Sequence, residues 1–139
     1  MFEVNNNRNT RNNKFHIVLI CDETGIFNAF KIIKEQLGSS GDTFLSLIYS
    51  VPENYLNPLF AKEITILEKR FSHNLYTYTL RIKPGEYDHI QEFIEAIINC
   101  NTTLKMQFLI SGNQEFTEYI SGVLTYLNID TYSIKPVII

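Results

Sequence analysis

The chain has 139 residues, of which 45% are hydrophobic and 13% aromatic, so it is long enough for one compact domain with a single core. Its formal net charge of -3 provides no overall positive field to hold nucleic acid or an anionic membrane. No apolar stretch approaches the roughly 20 residues of a membrane-spanning helix, and the polar first residues are unlike a secretory signal. We therefore expect a cytoplasmic protein.

The first 14 residues differ in composition from the rest of the chain. Residues 5–14 read NNNRNTRNNK and contain almost no apolar groups, so burial cannot offset the entropy lost on ordering them. The sequence therefore predicts a disordered, Asn-rich tail or linker over 1–14 and one folded domain over 15–139.

Apolar runs alternate with helical spacing through the first half of that domain. Residues 15–20, FHIVLI, form a continuous apolar run, which predicts a strand covered on both faces. Apolar residues spaced from Phe27 to Leu37 predict a helix, and the GSSG that follows would end it. TFLSLIYS, 43–50, predicts a second strand, which Pro52 closes.

The same alternation continues to the carboxyl terminus. Pro58 predicts the first turn of a second helix, whose apolar stripe extends to Phe71. Residues 75–82, LYTYTLRI, alternate and are rich in Tyr and Thr, as is typical of a strand. The remaining predictions are a helix through Ile90 and Ile97, a strand over 105–111, a helix from Phe116 to Leu127 and a short strand over 131–136.

Five strands that alternate with four helices predict the α/β class. The expected architecture is a doubly wound five-stranded parallel sheet with helices on both faces, because each parallel crossover needs a covering helix. Ligands of such sheets bind beyond the carboxyl ends of the strands. The turns in which we expect a site are those after Ile20, Ser50, Ile82 and Ile110.

The turn after the first strand resembles a known family. The residues HIVLICDETGIFN, 16–28, resemble the start of the nicotinamide-nucleotide domain of the ferredoxin-NADP reductase family, with Thr24, Gly25 and Ile26 in matching positions. Three later stretches agree with the family in order and spacing, namely LSLIYS, LFAKEITILEKRF and FLISGNQEFTEYISGVLTYLNID. The ordered set spans residues 15–135.

This resemblance implies an oxidoreductase-related domain that binds NAD(P)H and hands hydride to a flavin. In the family a flavin-binding barrel precedes this domain, so FAD would enter only through another domain, and FEVNNN resembles the end of that barrel. No residue here is implied to be catalytic, because the flavin carries the redox chemistry, and the implied partner is a flavin domain or an electron-transfer protein. The implied cofactor-binding residues are Thr24, Gly25, Ile26, Ser50, Ser111, Gly112 and Asn113.

Departures from the family pattern weaken the implied nucleotide site. Asp22 and Glu23 replace a glycine pair that lets the backbone approach the pyrophosphate in the family. A carboxylate about 4 Å from a phosphate costs roughly 4 kcal/mol at an effective dielectric of 20. The family's arginine after the second strand is replaced by Val51 and Pro52, and its Cys-Gly-Pro by SGN, 111–113. NAD(P)H binding is therefore expected to be weak or lost.

Three interpretations of the two acids stay open from the sequence. Asp22 could cap the following helix, with Glu23 adding a favourable charge near its positive end. The pair could contribute to a site for a divalent metal or a cationic ligand, for which another turn would have to supply ligands. A nucleotide site could also persist with both acids turned outward. Similarly, Gly25 and Gly112 either border a nucleotide pocket or simply permit tight turns.

The cysteines and histidines form no recognisable redox or metal motif. Cys21 and Cys100 form no CxxC pair, so we expect two reduced, buried thiols. His16, His73 and His89 lie in different predicted elements, and none has a second ligand at helical or hairpin spacing. We predict no metal site.

Two functions from different classes follow from these observations. One is the nucleotide-binding domain of a flavoprotein reductase, which would not be active alone. The alternative is a non-catalytic interaction or scaffold module that kept the fold and lost the cofactor. The lost glycines, gained acids and missing arginine favour the alternative, whereas the ordered similarity favours the reductase as ancestry, and fold alone does not choose between them.

Overall fold

The computed structural model describes residues 15–39, 43–83, 86–100, 105–130 and 134–136. The predicted tail, 1–14, lies outside the described residues, as do the second half of GSSG and the first half of the last predicted strand. The elements in chain order are β1 Phe15–Asp22, α1 Ile26–Ser39, β2 Phe44–Pro52, α2 Ala61–Arg70, β3 Leu75–Ile82, α3 Asp88–Cys100, β4 Lys105–Ser111, α4 Gln114–Tyr126 and β5 Ile134–Pro136.

The strands form one parallel sheet in the order β3-β2-β1-β4-β5. Four long strands are joined at one edge by β5, which has three residues and pairs with Phe108–Ile110 of β4. The chain order reverses at β1, because β2 and β3 lie on one side of it and β4 lies on the other. This reversal places a crevice beyond the carboxyl ends of β1 and β4, where ligands of such sheets bind. The α/β class with a parallel sheet is confirmed.

The central strand is apolar throughout because both of its faces are covered. Ile17, Leu19 and Cys21 pack into a core that α1 and α2 complete. Val18 and Ile20 point the other way, into a second core completed by α3 and α4. A strand buried on both faces needs a continuous apolar run rather than an alternating one. The helices accordingly lie on both faces of the sheet.

The helices are amphipathic and bury one stripe each. In α1 the buried side chains include Ile26, Phe30 and Ile33, and in α4 they include Phe116 and Ile120, at the spacing of one helix face. The outer surfaces are mostly polar, with Phe27, Ile66 and Tyr126 as exposed exceptions. Within the described ranges, none of the helices combines the length and the apolar character that crossing a bilayer requires.

Pro58 lies ahead of α2 rather than in its first turn, so the predicted start of that helix was wrong. The carbonyl of Pro58 accepts a hydrogen bond from the N–H of Ala61 at 3.1 Å. Phe60, between them, has a φ of 65°, in the left-handed region that interrupts a right-handed helix. The Phe60 ring stacks on Phe30 of α1 with centroids 4.5 Å apart, and this packing holds the residue in its unfavourable backbone conformation.

Candidate functional site

The turn after β1 is organised around the carboxylate of Asp22, which is only 5% exposed. Its Oδ1 accepts hydrogen bonds from the N–H of Thr24 at 2.9 Å, the N–H of Gly25 at 3.0 Å and the Thr24 hydroxyl at 2.6 Å. Its Oδ2 accepts a longer bond, 3.3 Å, from the N–H of Asn113. Four donors from two turns therefore converge on one carboxylate, which is how a backbone holds an anion.

Asp22 thus plays the local structural part that one interpretation gave it, although not as a standard helix cap. A helix cap accepts from the second or third N–H of the helix, whereas Asp22 accepts from Thr24 and Gly25, which precede the first helical residue, Ile26. An aspartate that binds the N–H two residues later is typical of a tight turn. The Gly25 N–H also donates to the Asp22 carbonyl at 3.1 Å, which closes the turn.

Gly25 is where the first turn touches the fourth. A Cβ at this position would lie 2.0 Å from the carbonyl oxygen of Ser111, so only glycine fits. The Ser111 hydroxyl, 1% exposed, donates to the Gly25 carbonyl at 3.0 Å. The end of β4 and the start of α1 are therefore held together by direct backbone contact.

Gly112 is adjacent to the Asp22 carboxylate. A Cβ on Gly112 would lie 2.8 Å from Oδ1 of Asp22 and 2.7 Å from the ring of Phe116. The next residue, Asn113, caps α4 by accepting from the N–H of Phe116 at 2.8 Å. Both glycines are accounted for by the close packing of two strand-to-helix turns, with the acid filling the space beside Gly112.

A small cavity of about 150 Å³ lies at this edge of the sheet. Small-molecule sites commonly measure about 300–1,000 Å³, so the cavity as formed is too small to enclose a nucleotide. It contains two carboxylates and one ammonium group. Its lining residues are Asp22, Glu23, Ser50, Val51, Pro52, Ile82, Lys83, Tyr87 and Asn113.

Burial and, after it, nearby carboxylates raise the pKa values of two groups beside this cavity. Partial burial, and after it the charge of Asp22, raises the pKa of the Glu23 carboxyl above its usual value. Burial and the charges of Glu115, Asp22 and Glu23 raise the pKa of the Tyr87 hydroxyl. Such surroundings oppose the binding of a further anion.

The structure gathers most of the predicted cofactor residues around this turn. Those that border the Asp22 carboxylate or its contacts are Thr24, Gly25, Ser111, Gly112 and Asn113. Ser50 pairs with Asp22 in the β1–β2 register and lines the cavity. Ile26 is fully buried in the core with α1 and α2, so its side chain does not line the cavity.

Sequence reasoning did not single out Lys83 and Tyr87, which also line the cavity. Both lie in or after the turn that follows Ile82, one of the turns where a site was expected. Neither belongs to a motif, and a list of turns gives no information on which side chain points inward. They lie at this edge because they follow the carboxyl end of β3, which runs parallel to β2 and pairs Ile82 with Pro52.

Other titratable groups do not assemble into a site. In the described part of the chain, no three His, Cys, Asp or Glu side chains come close enough to hold a metal ion. Cys21 is buried, and burial followed by the charge of Asp22 raises the pKa of its thiol. Cys100 is exposed, so the prediction of two buried thiols was wrong for this residue, which ends α3 beyond the buried stripe.

Comparison with solved structures defines the class of fold. Ferredoxin-NADP+ reductase from Plasmodium falciparum is similar over 96% of this chain, with a TM-score of 0.70 and 15% identity. A flavohemoglobin from Malassezia yamatoensis, solved with bound FAD and heme, is similar over 89%, with a TM-score of 0.65 and 14% identity. A siderophore utilization protein from T. fusca is similar over 87%, with a TM-score of 0.53 and 13% identity.

The chain therefore has a ferredoxin-reductase-like fold, which confirms the resemblance seen in the sequence. It spans 55%, 31% and 42% of the lengths of the three proteins, respectively. No protein-family model matches the sequence, and no curated protein matches it significantly.

Proposed function

We propose that this chain is a non-catalytic interaction module that kept a ferredoxin-reductase-like fold and lost the nicotinamide cofactor. One observation carries the proposal: the Asp22 carboxylate accepts from the N–H groups of Thr24, Gly25 and Asn113. In the family that the chain resembles, amides at this helix start meet the charge of the pyrophosphate. The Asp22 carboxylate is an internal anion that takes the place of the pyrophosphate and occupies these three donors.

Binding a nucleotide has a large energetic cost whether the Asp22 side chain stays hydrogen-bonded in the turn or swings outward. With the carboxylate in place, a phosphate about 4 Å away is destabilised by roughly 4 kcal/mol at an effective dielectric of 20, which is several hundredfold in affinity. With the side chain swung outward, the hydrogen bonds that define the turn are lost. Glu23 adds a second charge to the same cavity.

The reductase domain that binds NAD(P)H and passes hydride to a flavin is the second candidate. It is favoured by the backbone of the turn, which still directs the N–H groups of Thr24 and Gly25 at one point. Removing the Asp22 side chain would free those groups. Any FAD would belong to a separate flavin-binding domain.

The test is calorimetric titration of NADH and NADPH into wild type and two variants. We expect no saturable binding up to millimolar nucleotide for wild type, and saturable binding with a dissociation constant at least about tenfold below that limit for Asp22→Gly. Asp22→Asn is the matched comparison, because it removes the charge but keeps a carbonyl that can accept from the same N–H groups, and we expect it to bind more weakly than Asp22→Gly. Micromolar binding by wild type would establish the reductase candidate instead.

An exposed apolar surface supports the interaction role. A five-residue stretch of the β2–α2 loop contains three exposed large hydrophobic side chains. They are Tyr55, Leu56 and Leu59, which are 40%, 86% and 54% exposed. Phe27 on α1 is 65% exposed, and its ring lies 6.1 Å from that of Phe60, which follows the loop. Clustered exposed apolar residues commonly mark protein contacts. The proposed partner is a flavin-binding domain or an electron-transfer protein.

A further inference from the structure

A second cavity lies at the end of the sheet opposite Asp22 and is larger than the one beside that residue. It measures about 440 Å³, within the range of about 300–1,000 Å³ that is common for small-molecule sites. It is bordered by the first halves of β1, β2 and β3 and by the last two turns of α3. Neither the implied cofactor site nor the proposed interaction surface includes any of its residues.

Two small side chains line this cavity, the buried Ser46 on the sheet and the exposed Ala96 on α3. Ser46 of β2 lies on the sheet face that α3 covers, where the next inward residue of the same strand is Ile48. Ala96 of α3 stands between the large residues Phe93 and Ile97. A larger side chain at position 46 would fill part of the space between sheet and helix, and a larger one at the exposed position 96 would obstruct its rim.

The walls are aromatic and the floor is polar. Tyr78 and Phe93 lie with ring centroids 5.5 Å apart at 54°, and Tyr76 extends the same wall to the surface. At the floor, His16 Nε2 and the hydroxyl of Ser46 are 2.8 Å apart, and Ser46 is 3% exposed. A hydroxyl has one proton and two lone pairs, so Ser46 can form a second hydrogen bond beside the one to His16.

The lining contains no Asp, Glu, Lys or Arg, which matches a ligand without formal charge. We propose that this cavity binds a neutral, planar aromatic molecule that carries one hydrogen-bonding group. The rings of the ligand pack against Tyr78 and Phe93, and its polar group meets the pair formed by Ser46 and His16. Tyr76 and Cys100, both exposed, mark the entrance.

The probe for this site is Nile red, a neutral planar dye with a carbonyl group that fluoresces in apolar surroundings. We expect saturable binding of one dye per wild-type chain. Ala96→Trp obstructs the rim of the cavity from an exposed helix position and should weaken binding at least tenfold. Asn99→Trp, on an exposed position of the same helix outside the cavity, is the matched control and should bind as wild type does.

A second measurement uses the thiol at the entrance. Cys100 is exposed and Cys21 is buried, so iodoacetamide should alkylate only Cys100 in the folded protein. Saturating Nile red should slow that alkylation at least fivefold in wild type and not in Ala96→Trp. If Ala96→Trp does not fold, Cys100→Phe narrows the entrance and should weaken dye binding in its place.

Four outcomes would overturn the proposal. The first three are dye binding that is absent or does not saturate, dye binding that persists unchanged in both cavity variants, and alkylation of Cys100 at the same rate with and without dye. Dye binding that survives in Ala96→Trp but disappears in Leu56→Ser/Leu59→Ser would place the dye on the exposed loop and would equally contradict the proposal.

Discussion

At the scale of single residues, one side chain decides what the carboxyl edge of the sheet can bind. Asp22 is buried, and its two oxygens accept from donors of two different turns. The carboxylate therefore stabilises the fold at the place where the resemblance implies a pyrophosphate. Under the proposed function, the same hydrogen bonds that order the turn occupy the donors that a second anion would need.

Replacing Asp22 should reduce stability. Asp22→Ala leaves the N–H groups of Thr24, Gly25 and Asn113 without this acceptor, and we expect a loss of about 2–3 kcal/mol in the free energy of unfolding. Asp22→Asn keeps one carbonyl acceptor and should lose about half as much. Urea denaturation measures both, and a loss below about 0.5 kcal/mol for the alanine variant would show that these bonds do not hold the turn.

Glu23 should make stability depend on pH. Its raised pKa means that the folded state binds the proton more tightly than the unfolded state, whose carboxyl titrates near 4.5. The free energy of unfolding therefore falls as the pH rises from about 4.5 through the raised pKa. Glu23→Gln removes this fall because glutamine does not titrate. The difference in unfolding free energy between the variant and wild type should therefore be more favourable to the variant at pH 7 than at pH 3.5.

The gain should stay below about 1 kcal/mol because solvent screens a partly exposed group. Thermal unfolding of wild type and Glu23→Gln across this pH range measures it. A difference between the two proteins that is the same at pH 3.5 and pH 7 would contradict the assignment.

At the scale of elements, Gly25 and Gly122 differ in whether a larger residue can replace them. Gly25→Ala would bring its Cβ to 2.0 Å from the Ser111 carbonyl oxygen and should cost about 3 kcal/mol or more, because backbone must move. Gly122 lies within α4, is exposed and has no atom within 4 Å of an added Cβ. Gly122→Ala should therefore stabilise by about 0.5–1 kcal/mol through helix propensity.

Chemical denaturation of the two glycine variants gives the comparison directly. If Gly25→Ala is as stable as wild type, the turns after β1 and β4 are not in the close contact described. If Gly122→Ala is destabilising, the middle of α4 packs against something that the described residues do not include.

At the scale of the whole molecule, the sequence was sufficient for the class but not for the site. The continuous apolar run of β1 and the helical stripes predict a parallel sheet covered on both sides, since these periodicities follow from burial alone. The local bonds from Thr24 and Gly25 to Asp22 follow from turn chemistry, but its further contact with Asn113, a residue 91 positions away, has no local pattern that predicts it. The larger cavity is likewise lined by Ser46 and Ala96, which are small but otherwise unremarkable in the sequence.

The proposed interaction surface should be dispensable for folding. Leu56 and Leu59 are 86% and 54% exposed, so each substitution should contribute less than about 0.5 kcal/mol. The double variant Leu56→Ser/Leu59→Ser should therefore change the free energy of unfolding by less than about 1 kcal/mol in total. Thermal unfolding provides the measurement, with Leu47→Ser, which is 1% exposed, as a strongly destabilised control. A loss above about 2 kcal/mol for the loop variant would show that these side chains pack within the fold.

The central claim, that Asp22 occupies the anion site of this fold, is tested most directly at the amides themselves. Pyrophosphate titrated into ¹⁵N-labelled protein should leave the amide resonances of Thr24, Gly25 and Asn113 unmoved in wild type and should shift them saturably in Asp22→Gly. Saturable shifts of these three amides in wild type would contradict the account, because they would show that the donors are free to bind a ligand while Asp22 is present.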